Sequence, residues 1–140
     1  MTISPARTAA FDLLVRIEKD GAFSSALLPQ FEEALSDKDS SLCHELTLGV
    51  LRRKLYLDAI IDKLSKGKRI DLEIRTSLWI GLFQLIFLDR IPAHAAIDES
   101  VNLALRAKKR SANGFVNAIL RSFQREPFVP EFTDPIEERS

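Results

Sequence analysis

An all-α fold of about seven helices is what this sequence predicts. Three observations carry that expectation. Apolar residues recur at helical spacing in segment after segment, capping residues and helix breakers punctuate those segments at helix-length intervals, and no segment shows the alternation of a strand. A chain of 140 residues, 46% hydrophobic and 29% charged, suits one domain with its own core.

Ser4 followed by Pro5 is a favoured start, and Gly21 a stop, for a first helix that turns Ala10, Leu13, Leu14 and Ile17 inward. A short helix is expected around 25–35, broken or kinked at Pro29. Asp37 or Asp39 can cap the third, which buries Leu42, Leu46, Val50 and Cys43 along "SSLCHELTLGVLRRK". The fourth, about 55–65, buries Leu57, Ile60, Ile61 and Leu64 and ends at Gly67. Asp71 caps the fifth, "LEIRTSLWIGLFQLIFL", whose apolar residues cover nearly every face, the mark of a central helix packed all round. After "DRIPAH" come a sixth helix over about 93–108 and a seventh over about 112–124. The stretch "EPFVPEFTDPIEERS" reads as an extended Pro- and acid-rich linker. The expected organisation is therefore a helical domain over 1–125 and a linker over 126–140.

Composition narrows the function. A single cysteine excludes an internal disulfide and fits a reducing, cytoplasmic setting. The longest apolar run, "LWIGLFQLIFL", falls short of the roughly 18 residues a membrane span needs, so no membrane partner is expected. Cys43 and His44 are adjacent on a helix and point about 100° apart, which disfavours a nucleophile–base pair. Two histidines and one cysteine have no metal-ligand spacing, and five scattered glycines form no phosphate loop. No catalytic residue, metal or bound cofactor is expected in this chain.

Charge is more informative. Residues 1–50 carry four basic and eight acidic side chains, residues 51–125 fifteen and seven, and residues 126–140 one and five. The zero net charge thus conceals a segment of +8 between two of −4, an asymmetry that suits a polyanionic partner. Basic clusters at 52–54, 66–69 and 106–110 fall at helix ends, where they can reach phosphates or simply offset helix dipoles. On the seventh helix, Gly114, Asn117 and Arg121 stack at i, i+3 and i+7 into a polar, partly bare strip. Glycine there permits close approach by a backbone, asparagine offers donor and acceptor, and arginine a fork for phosphate or base edges. The plainer alternative is a helix-start turn with Asn117 fastening a neighbouring element.

The stretches "HELTLGVLRRKLYLDAIIDKL", "IGLFQLIFLDRIPAHAAIDESVNLA" and "NGFVNAILRSFQRE" together resemble the NusB-type RNA-binding domain. The forms "GVLRR", "IPAHAAIDES" and "NAILRSFQRE" are more similar to the version of that domain found in rRNA 5-methylcytosine methyltransferases than to a free-standing antitermination factor. The resemblance spans roughly 4–126. It implies two small helical sub-bundles, RNA bound by the first helix and nearby surfaces, Arg7 in that helix, and Lys108, Lys109 and Arg110 in the turn before the last helix. The implied partners are small-subunit rRNA, the methyltransferase's own catalytic domain and a ribosomal protein. S-adenosylmethionine is implied only for a full-length enzyme, whose catalytic part these residues lack. The expected function is an RNA-binding module that positions rRNA for that part. The alternatives are an antitermination factor and a protein-docking module. The expected RNA contacts are Arg7, Lys108, Lys109, Arg110, Asn117 and Arg121.

Overall fold

The computed structural model describes residues 3–21, 27–107, 109 and 112–131. Among them are seven helices and no strand: α1 (Pro5–Asp20), α2 (Leu27–Glu32), α3 (Asp37–Arg52), α4 (Lys54–Ser65), α5 (Leu72–Phe87), α6 (Ala93–Arg106) and α7 (Asn113–Arg125). None of the described helices is long and apolar enough to cross a membrane. Helices α1 to α3 pack on one another, α4 to α7 form a second group, and α1 and α3 join the two through α5.

Local chemistry explains most boundaries. Ser4 caps α1, its Oγ accepting from the Arg7 backbone N–H at 3.3 Å, and Gly21 closes the helix at φ 71°. The cap of α3 is Ser36 rather than Asp37 or Asp39, with its Oγ accepting from the Asp39 N–H at 3.2 Å. The two aspartates instead occupy the first turn, where the helix dipole favours negative charge. Pro29 does not break α2, because it sits in the first turn of a six-residue helix where no N–H is needed. Helix α6 ends at Arg106, earlier than its charge pattern suggests.

Helix α5 is the core element. Residues Thr76 to Gln84 are all buried, a run of nine that leaves no face to solvent. Two glycines make this possible by close approach. A Cβ on Gly81 would lie 2.8 Å from Leu120 Cδ1 and from Ser100 Oγ, so α6 and α7 both close onto α5 there. One on Gly49 would lie 2.1 Å from Phe83 Cζ, so the ring of Phe83 occupies the space beside α3. Trp79 is core, as its helix implies, with Nε1 donating to Asp58 Oδ1 at 2.7 Å. Arg75 fastens the same α4–α5 seam through Asp58 (2.8 Å) and Asp62 (3.1 Å). Burial pulls its pKa down, and the hydrogen bonds to both aspartates outweigh that pull.

Arg7 is the one buried arginine among the described residues, 7% exposed. Its Nε donates to Gln84 Oε1 at 2.7 Å, and one terminal nitrogen reaches Glu99 Oε2 and Ser4 Oγ at 2.8 and 2.9 Å. Glu99 Oε1 in turn accepts from the Ser4 backbone N–H at 2.6 Å, and Gln84 Nε2 donates to the Ile80 carbonyl at 2.9 Å. The network ties α1 to α5 and α6.

Arg7→Met should lower the unfolding free energy by about 3 kcal/mol, because a carboxylate and a buried amide oxygen lose their donor together; urea unfolding measures it, and an unchanged midpoint would show the network to be energetically neutral. Gly49→Ala should cost about 1–3 kcal/mol by displacing the Phe83 ring, read by the same denaturation.

Candidate nucleic-acid interface

The short turn between α5 and α6 reverses the chain, so the C-terminal end of α6 returns to the level of the start of α5. Two basic segments far apart in sequence thereby meet. In the turn after α4, Lys66 adopts the left-handed conformation at φ 57° and closes the helix. Beyond it, Lys68 and Arg69 are exposed. Across from them Lys109, in the turn after α6, places Nζ 3.3 Å from Asp71 Oδ2 at the head of α5. Lys68 Nζ lies 5.1 Å from the centre of the Phe115 ring on α7, a cation–π contact that joins the α4–α5 turn to the first turn of α7.

Helix α7 presents the strip expected of it. Gly114 and Arg121 are exposed and Asn117 is half-buried, while Val116, Ile119, Leu120 and Phe123 face the core. Arg121 Nε donates to Asn117 Oδ1 at 3.0 Å, so the pair is held on the helix surface with further guanidinium donors directed outward. Asn117 therefore fastens Arg121 rather than a neighbouring helix. Gly114 donates its N–H to Asn113 Oδ1 at 2.7 Å, and a Cβ built on it would meet nothing within 4 Å. Packing among the described residues gives no reason for a glycine at that position.

The sequence-expected contacts therefore separate. Lys109 lies at the head of α5, and Asn117 and Arg121 are paired on the surface of α7. Lys108 and Arg110 lie outside the described residues. Arg7 does not belong to the surface: its guanidinium is turned inward and occupied by Gln84, Glu99 and Ser4. Burial lowers its pKa and Glu99 counters that, consistent with a charge held by partners inside the fold. Arg106 is likewise engaged, bidentate on Asp12 of α1 at 2.9 and 3.0 Å.

Sequence reasoning missed Lys68 with Phe115, whose contact follows from the packing of α4 against α7. Their separation of more than forty residues offers no local signal. The remaining basic cluster is partly neutralised: Lys54 pairs with Glu18, and Arg53 lies 4.8 Å from the Phe87 ring.

Other candidate chemistry is structural. Cys43 is fully buried, and burial pushes its thiol up to about 11, so it stays protonated at neutral pH and is no nucleophile. His44 is exposed, with Nδ1 3.3 Å from Glu32 Oε1. Among the described residues no group of three or more His, Cys, Asp and Glu could hold a metal ion. A groove of about 810 Å³ runs along α3 and mixes both charge signs (Glu32, Glu45, Arg52) above Phe83 and Phe87.

Comparison with known proteins agrees with this architecture. Ribosomal RNA small subunit methyltransferase B of Proteus mirabilis (strain HI4320) is 38% identical over 127 residues, 88% of this chain. The chain spans 29% of that relative's length and matches its N-terminal NusB-like region. A solved structure described as a plectonemic RNA supercoil superposes with a TM-score of 0.80 at 25% identity, covering 86% of this chain and 92% of the other. NusB of T. maritima superposes with a TM-score of 0.73 at 25% identity, covering 90% and 94%. The NusB family model matches residues 4–125, nearly the whole described fold, and the chain belongs to the NusB family.

Proposed function

We propose that this chain is an RNA-binding module that holds small-subunit rRNA for an rRNA cytosine-C5 methyltransferase, through the end of the molecule where the α4–α5 turn meets α7. The observation that carries this function is the meeting of two basic segments beside an open helix strip: Lys66, Lys68 and Arg69 from one turn, Lys109 from the other, and Asn117 with Arg121 on α7. Support comes from a relative named as a ribosomal RNA methyltransferase and a structural neighbour described by the RNA it contains.

The cations approach from several directions and the strip bears no ladder of base-reading side chains. The expected recognition is therefore of phosphate and shape. Gly114 has a role on this basis that packing does not supply: its bare backbone lets a sugar–phosphate chain come close. S-adenosylmethionine would serve the part of such an enzyme that lies outside these residues.

Titration with a small-subunit rRNA fragment should show affinity falling about 30- to 100-fold between about 50 and 200 mM salt, as expected for about four phosphate contacts to single-stranded RNA. The double reversal Lys68→Glu with Arg121→Glu should lower affinity about tenfold or more at the lower salt. Salt-independent binding, or reversals without effect, would instead favour a protein-docking module. Gly114→Ala separates the two roles of that residue. It should raise stability by about 0.5–1 kcal/mol, because the site is open and helical, while weakening RNA binding measured in parallel; unchanged binding would remove Gly114 from the interface.

A further inference from the structure

Phe115 brings an aromatic ring to the basic face. It stands in the first turn of α7, packed against the core yet only half-buried. The ammonium of Lys68, an exposed residue, lies over this ring at 5.1 Å from its centre. That face of the ring is therefore covered by the tip of a long, flexible side chain.

The helix positions bordering the ring are small. Gly114 precedes it and Ala118 stands one turn on, at i+3, and both are exposed. A Cβ built on Gly114 would meet nothing within 4 Å. A flat group approaching the ring across Gly114 and Ala118 thus meets no bulk from α7 itself. The magnitudes favour such an approach. A cation over an exposed ring changes an equilibrium by about two- to fivefold. Stacking a nucleobase on an aromatic ring changes it by about five- to 150-fold. Lys68 at the same time gains a phosphate in place of the ring.

We propose that Phe115 is a stacking platform for one unpaired nucleobase, covered by Lys68 in the free chain. On RNA binding the Lys68 ammonium moves to the phosphate backbone and the base takes its place over the ring. Every base has a face to stack, so the platform selects an unpaired nucleotide and not a particular base. The proposal rests on the RNA-binding function proposed above and names the feature of the RNA that this surface takes.

An rRNA fragment carrying a single abasic nucleotide, moved position by position through its unpaired segment, tests the platform. At one position the missing base should weaken binding about five- to thirtyfold at about 50 mM salt. Phe115→Leu keeps an apolar contact with the core and should lose the same factor on the intact RNA. It should lose nothing further on the abasic one, because the two changes remove one shared contact. Phe115→Tyr retains a ring and should behave as the unaltered chain. NMR of the unaltered chain supplies a second readout, since the ring current of a stacked base should move the Phe115 ring resonances upfield. Equal affinity for every abasic RNA, an abasic loss that persists in the Phe115→Leu variant, or Phe115 resonances unmoved at saturating RNA would overturn the platform. Each of these outcomes leaves salt-dependent RNA binding in place. Absence of binding to the intact RNA would overturn the RNA-binding function itself.

Discussion

A guanidinium buried in a small helical protein is tolerable only when its donors are answered, and Arg7 is answered by three elements at once. Gln84 comes from α5, Glu99 from α6, and Ser4 from the start of its own helix. The oxygens of Glu99 divide between Arg7 and the Ser4 backbone, so capping of α1 and its attachment to α6 are one event. Losing either partner strands charge or amide in a place water reaches poorly. The network also bears on the proposed function: the charge of Arg7 is consumed in assembly, so the proposed RNA contact falls to the exposed cations instead.

Assembly then dictates where that end is. Because α5 is buried over nine consecutive residues, helices must cover it on all sides, and Gly81 lets α6 and α7 do so at close range. The reversal between α5 and α6 is short, so the end of α6 comes back beside Asp71. Helix α7 then crosses the α4–α5 turn with Phe115 beneath Lys68. The basic surface is a consequence of covering one apolar helix. It needs no dedicated element of its own.

Much of this was legible in the residues. Helix count, the all-round burial of α5 and the inward stripe of α1 follow from periodicity, because burying apolar surface decides them locally. The strip Gly114–Asn117–Arg121 was legible for the same reason, since helical spacing alone puts those positions in line. Arg7 was not: an arginine near the start of an amphipathic first helix looks like a surface cation until Gln84 and Glu99, more than seventy residues away, are brought to it. Lys68 with Phe115 and Lys63 with Phe128 were hidden likewise, being contacts between segments that only tertiary packing joins. The cap of α3 fell to Ser36 because three neighbouring residues could each cap, and local sequence does not rank them.

The most direct test of the proposed RNA surface is to titrate the isotopically labelled chain with an rRNA fragment and map the amide resonances that move. Shifts concentrated at 66–69, 109 and 113–125, with those of α1 near Arg7 left in place, are the predicted result. Shifts centred on the first helix or along the α3 groove, with α7 undisturbed, would contradict it and return the basic end to the role of a solvated face.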